Sequence, residues 1–228
     1  QRGSIETTQA DVIIVNLFEG VEMPAGATGA VDKALHGAIA DVIRSGDYRG
    51  KLNELSVVYS RGALPAQRVI IVGLGKVADF NLDRVRQAAA WSARRARDLG
   101  CKSIATVAHG AGTGQIDAAS AAQAVVEGVL LGLYEWREHR NVPRERGPLE
   151  SLTIVEFDES KLAAIENGAR AGESIAAGVN RARDLINEPP NYLLPKNLAE
   201  AAVRMAQEVG VNCVVHDVDW MREQKMGA

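Results

Sequence analysis

ARDLINEPPNYLLP, residues 182–195, decides how this chain is divided. A long helical pattern runs into it and meets Asn187-Glu-Pro-Pro-Asn191. Proline has no backbone N–H, and it disfavours helical angles in the residue before it. The pattern therefore stops here, and a second helical pattern starts near Pro195. A firm stop followed by a restart is the mark of a boundary between structural units.

Working upstream, residues 159–186 place Leu162, Ile165, Ala169, Gly172, Ala176, Val179, Ala182 and Ile186 on one stripe. The steps of three and four predict one continuous helix, on the order of 40 Å long at the usual rise per residue. A helix of that length suits a linker between domains. Gly168 and Gly172 would let another backbone approach it closely, at a cost in helix propensity.

Further upstream, strands and helices alternate. DVIIVNLF, residues 11–18, is a β-branched apolar run that reads as a buried strand. Strands are also predicted over 55–60, 68–72, 103–108 and 151–157. An amphipathic helix is predicted over 30–44, and helices are predicted over 81–99 and 117–134. Asn81 or Asp79 is a plausible N-cap for the second of these, and Gly100 follows its end. WREHRNVPRERGPLE, residues 136–150, reads as an exposed loop. This alternation argues for an α/β fold with a mixed or mostly parallel central sheet.

Downstream of the prolines, the pattern predicts a helix over 197–208 closed by Gly210, a strand over 211–216 and a helix from Asp219. One strand and its helices do not make a core, so this tail reads as the opening of an incomplete second α/β domain. The expected division is 1–157, an N-terminal domain; 158–186, a linker helix; and 187–228, the start of a second domain.

Composition excludes several classes. The chain has 228 residues, 46% apolar and 24% charged, with a net charge of −3. No general positive field draws in nucleic acid or an anionic membrane surface. The run Arg94-Arg95-Ala96-Arg97 reads as a solvated helix face. No apolar run reaches the length of a membrane span. Cys101 and Cys213 are far apart and each adjoins a strand-like run. They read as buried free thiols of a reducing cytoplasm.

Each candidate for chemistry has a plainer structural reading. Gly73-Leu-Gly-Lys76 departs from phosphate-loop and dinucleotide patterns at Val77 and Ala78 and reads as a tight turn. His109-Gly-Ala-Gly-Thr-Gly114 and Pro24-Ala-Gly-Ala-Thr-Gly-Ala30 each lie between a strand and a helix. Their backbone amides could cradle an anion, but both are also connections of small residues. His216-Asp-Val-Asp219 gathers three possible metal ligands at a predicted strand end, where polar residues are common. Asp184 and Glu188 would be neighbours only if the helix passed Pro189. His36, His109, His139 and His216 are scattered, with no H-E-x-x-H, and there is no G-x-S-x-G. No catalytic, cofactor-binding or metal-ligating residue is assigned.

ARDLINEPPNYLLPKNLAEAA, residues 182–202, closely resembles the junction segment A-R-x-L-x-N-x-P-x-N of the leucyl (cytosol) aminopeptidase family. Ala182, Arg183, Leu185, Asn187, Pro189, Pro190 and Asn191 match it; Pro195 matches a later proline step, with Leu194 where threonine is common. MREQKMGA (221–228), VIIVGLGK (69–76) and VVEGVLLGLYEW (125–136) also resemble segments of that family.

The resemblance implies an N-terminal macro-domain-like, three-layer fold with a mixed sheet flanked by helices. It implies that the long helix leads to a catalytic domain, only the start of which is present. It further implies a cytoplasmic homohexamer that removes N-terminal amino acids from peptides with two divalent metals, zinc or manganese. The family's N-T-D-A-E-G-R metal-ligand segment is absent from residues 1–228. This portion is therefore expected to serve structure and assembly, to bind no metal pair and to be inactive alone. The alternative is a self-standing macro-like module binding ADP-ribose or a related nucleotide, of which Asp11 and Asn16 are loose echoes.

Overall fold

The computed structural model describes residues 1–111, 115–139 and 147–227. The chain forms two compact units. The first takes Gln1–Glu135 and the described part of Arg140–Asn180; the second takes Trp136–His139 and Arg181–Ala228, whose described part ends at Gly227.

The first unit is built on five strands: β1 (Val12–Leu17), β2 (Leu55–Tyr59), β3 (Arg68–Gly73), β4 (Ser103–Thr106) and β5 (Ser151–Ile154). Their order is β2-β3-β1-β4-β5. β3, β1, β4 and β5 are parallel, and β2 is an antiparallel edge. β1 is central and apolar on both faces, as a strand covered on both sides must be. Val12 and Ile14 join one core cluster with Ile70, Val72 and Ile104, under α3 (Leu82–Asp98) and α4 (Ala118–Gly132). Ile13, Val15 and Leu17 join the other with Val69 and Ile71, under α1 (Gly26–Ala34) and α2 (Ala38–Arg44). Each fully buried Ile or Val stabilises this three-layer arrangement by about 1.5–3 kcal/mol.

Two caps bear out local sequence rules. The Asn81 side chain accepts from Arg84 N at 3.1 Å, and that of Asp117 accepts from Ser120 N at 2.9 Å. The helix predicted over 30–44 is instead two, because Gly37 adopts φ +88° and His36 φ +56°, turning the chain between α1 and α2. The Asp32 carboxylate accepts from Ile39 N and Ala40 N, so the break is capped from within.

α5 (Glu159–Asn187) is the predicted long helix. Within the first unit it packs on α4 at backbone distance. A Cβ on Gly168 would stand 2.0 Å from the Ala119 carbonyl oxygen, and one on Gly172 2.8 Å from that of Gln123. α3 and α4 meet the same way: a Cβ on Gly128 would stand 2.4 Å from the Arg86 carbonyl oxygen.

In the second unit, Glu188 N still donates to Asp184 O, and the prolines then impose a turn closed by Tyr192 N and Leu193 N on Pro189 O. α6 (Pro195–Val209) has Pro195 in its first turn and ends at Gly210, φ +73°. The His139 ring stacks on Tyr192 and its Nε2 lies 2.7 Å from Glu188 Oε1. The strand predicted over 211–216 does not form. These residues carry no regular structure, are exposed and have no partner strand among the described residues, and a lone strand leaves its backbone unpaired. Cys213 lies on this exposed run, which corrects the expectation that both thiols are buried; Cys101 is buried. α7 (Val218–Glu223) follows, capped by Asp217.

Candidate functional site

In an open α/β sheet, ligands bind outside the carboxyl ends of the strands where successive crossovers leave in opposite directions. Here the chain leaves β1 towards β3 on one side, and leaves β4 towards β5 on the other. A cleft of about 610 Å³ lies at that point, within the first unit. The ends of β1, β4 and β5, the start of α1 and the N-terminal 3₁₀ turn Ile5–Thr7 line it.

The small residues of the Pro24–Ala30 connection build one wall. α1 begins inside this segment, at Gly26 with φ +56°, so only the first residues are loop. Gly29 packs against the Pro24 carbonyl so closely that a Cβ would stand 2.8 Å from it. The N-cap, Ala25, has no side chain to satisfy the first-turn N–H groups. Thr28 Oγ1 donates to Asn16 O at 2.7 Å, which ties α1 to the end of β1.

Asn16 lines the cleft, and its Nδ2 lies 2.7 Å from Nδ1 of His109 on the loop after β4. An amide nitrogen only donates, so Nδ1 accepts and the imidazole proton sits on Nε2. His109 is 1% exposed, and burial lowers its pKa from 6.5 to about 4. It is a neutral positioning group that locks the β1 and β4 loops together.

The folded pKa lies below the unfolded one, so the unfolded chain takes up the proton first as pH falls. Stability is full above about pH 6.5 and is lost down to about pH 4, by about 3 kcal/mol in all. His109→Gln keeps an acceptor for Asn16 and is expected to flatten that part of the melting-temperature profile. Superimposable profiles for the two proteins would refute the assignment.

The other sequence candidates have structural roles. Gly75 takes φ +74° in the turn after β3. Asp11 lies before β1, at the end of the sheet opposite the cleft. Its carboxyl accepts from Lys102 N and Ser103 N, and these bonds hold its pKa below the usual range. Asp217 caps α7, Asp219 pairs with Arg222 and His216 stacks on Trp220. Arg94 and Arg95 lie on α3, and the exposure of Arg95 is what a solvated face requires. Residues 112–114 of the His109 loop, and 140–146 of the loop over 136–150, lie outside the described residues. No three His, Cys, Asp or Glu side chains among the described residues converge to hold a metal ion. No helix is long and apolar enough to cross a membrane among the described residues.

Sequence reasoning missed two carboxylates in the cleft, those of Glu6 and Glu156. They come from segments some 150 residues apart, and only the topology brings them to one rim.

Known proteins place this arrangement. The model of the cytosol aminopeptidase family N-terminal domain matches residues 14–141, and that of its catalytic domain matches residues 180–228. A protein named "probable cytosol aminopeptidase" from Roseiflexus castenholzii is 34% identical over 97% of the chain and 43% of its own length. One of the same name from Alkaliphilus oremlandii is 30% identical over the whole chain and 46% of its own length. The chain therefore spans less than half of these relatives.

A mutant of tomato leucine aminopeptidase superposes with a TM-score of 0.81, at 23% identity, over the whole chain and 45% of that protein. The bottromycin maturation enzyme BotP in complex with Mn gives 0.71 at 26% identity, over 94% of the chain and 40% of BotP. A Trypanosoma brucei macrodomain in complex with ADP gives 0.57 at 17% identity, over 73% of the chain and 66% of the macrodomain. The macro-like fold that the resemblance implies is thus the observed one. This chain belongs to the cytosol aminopeptidase family of metallo-aminopeptidases, of which it carries the N-terminal domain and part of the catalytic domain.

Proposed function

We propose that the protein containing this chain removes single amino acids from the N-termini of peptides. The reading rests on one observation: the family's N-terminal and catalytic models match this one chain in order, at residues 14–141 and 180–228. Residues 1–157 would form the N-terminal domain, 158–186 a linker and 187–228 the start of the catalytic domain. The working assembly would be a cytoplasmic homohexamer.

Two divalent metals, zinc or manganese, would polarise the scissile carbonyl and activate a water. The described residues of this chain offer no set of donors that fits such a pair. Their part is structural: the first unit supplies a rigid three-layer body, and Pro189 and Pro190 set how the chain enters the catalytic segment.

The full-length protein is expected to release leucine from leucine-containing dipeptides with Mn2+ or Zn2+ and to lose that activity on chelation. Residues 1–228 alone are expected to release none. A full-length protein inactive on a panel of dipeptides with either metal would overturn the proposal. The self-standing nucleotide module is the weaker reading, since its support is a shared fold at 17% identity.

A further inference from the structure

Trp136–His139 stands apart from its neighbours in sequence. It lies within the stretch matched by the family's N-terminal model, residues 14–141. Yet it belongs to the second compact unit, together with Arg181–Ala228, and residues 180–228 match the catalytic model. The N-terminal sequence thus lends a short strap to the unit that opens the catalytic segment.

His139 makes the contacts that hold this strap. Its ring stacks on that of Tyr192, with centroids 4.1 Å apart and planes 20° from parallel. Its Nε2 lies 2.7 Å from Glu188 Oε1. A carboxylate only accepts, so Nε2 carries the proton and donates. The Trp136 ring lies 6.1 Å from the imidazole, inclined by 60°. Glu188 and Tyr192 flank Pro189-Pro190-Asn191, so one imidazole touches both ends of the turn that divides the chain.

Two further features set this contact apart from an ordinary surface pair. His139 has φ +59°, a left-handed angle that is unfavourable for a residue with a Cβ. Such strain persists where the surroundings over-determine it, and it gathers at clamps and switches. Within the turn, Tyr192 N and Leu193 N bond Pro189 O, and neither proline has a donor to add. The strap adds a hold from outside the turn, from a residue about 50 positions away in sequence.

We propose that Trp136–His139 is a clasp, supplied by the N-terminal sequence, that grips the Pro189-Pro190 turn through His139 and fixes how the chain enters the catalytic segment. None of this requires peptidase activity, since the clasp is read at amides of this chain.

The test measures amide hydrogen exchange in the 228-residue chain by NMR. The reporting amides are Tyr192 and Leu193; Leu74 N, bonded to Leu17 O in the first unit, is the reference. Exchange at such amides reports local opening. Losing a stacked ring pair together with a charge-assisted hydrogen bond changes an equilibrium by about tenfold or more. His139→Ala is therefore expected to speed exchange at Tyr192 and Leu193 by about tenfold or more and to leave Leu74 unchanged. His139→Gly should do the same, although glycine relieves the backbone angle. Tyr192→Phe keeps the ring and should leave exchange at Leu193 as in the parent, whereas Tyr192→Ala should speed it. Unchanged exchange in His139→Ala would overturn the proposal. So would equal acceleration at Leu74, exchange in His139→Gly as slow as in the parent, or a Tyr192→Phe effect as large as that of Tyr192→Ala.

Discussion

Gly73→Ala is expected to cost the first unit more than about 4 kcal/mol, among the largest effects a single methyl group can have. Gly73 ends β3 where the chain of residues 50–54 crosses it. A Cβ there would stand 1.9 Å from the Lys51 carbonyl oxygen and 2.7 Å from the Gly50 carbonyl carbon. Both obstacles are backbone, so no side chain can swing aside. Separating the strands breaks the pairing of Gly73 N with Glu54 O and Asn53 N with Gly73 O. It also loosens Gly75 N from Gly50 O. Overpacking in a well-filled core alone costs about 1–3 kcal/mol, and the broken bonds add to it.

Thermal or urea unfolding followed by circular dichroism reads the outcome. The melting point should fall by about 10 °C or more. Gly178→Ala is the control: it lies in α5 with nothing within 4 Å of the added Cβ. It should stabilise the helix by about 0.5–1 kcal/mol. A Gly73→Ala protein as stable as the parent would show that this crossing is not as close as described.

The second large effect is expected at the α3–α4 interface. The Glu127 side chain is only 5% exposed and forms an ion pair with Arg86 Nε; Gln123 Nε2 donates to its other oxygen at 2.7 Å. Arg86→Ala strips the carboxylate of its cation without returning it to water. One-sided removal of a buried partner costs about 3–5 kcal/mol, most of it the penalty of the charge left behind. Replacing both members by apolar groups, Arg86→Met with Glu127→Leu, should recover most of that loss for the same reason. Equilibrium unfolding of the two variants decides. A single variant that loses under about 1 kcal/mol would mean that water reaches Glu127 once the guanidinium is gone.

Elements whose stability is local were legible in the sequence. β1 and β3 showed as apolar strand runs, α3 by its N-cap and the glycine past its end, and α5 by its stripe of small and apolar residues. The departures arise where distant context decides. The break at His36 and Gly37 depends on Asp32 reaching forward to Ile39 and Ala40. The run 211–216 has β propensity but no neighbour among the described residues to pair with, and propensity without a partner does not make a strand. The cleft was only half visible. The small-residue connection 24–30 was singled out for its amides. Glu6, Glu156 and the buried His109–Asn16 contact are joined only through the strand order.

The glycine contacts that bring α3, α4 and α5 together have a consequence for how this layer tolerates change. Side chains at an ordinary helix interface take up small errors by shifting rotamer. Here Gly128 faces the Arg86 carbonyl and Gly168 the Ala119 carbonyl with no side chain between. Few rotamers are frozen, which spares conformational entropy, but nothing remains to adjust. A replacement on one helix must be answered by a displacement of its neighbour, and α4, held on both sides, passes that displacement on. Substitutions along this seam should therefore combine non-additively even when they do not touch. The layer behaves as one mechanical part whose variations are acceptable only in sets.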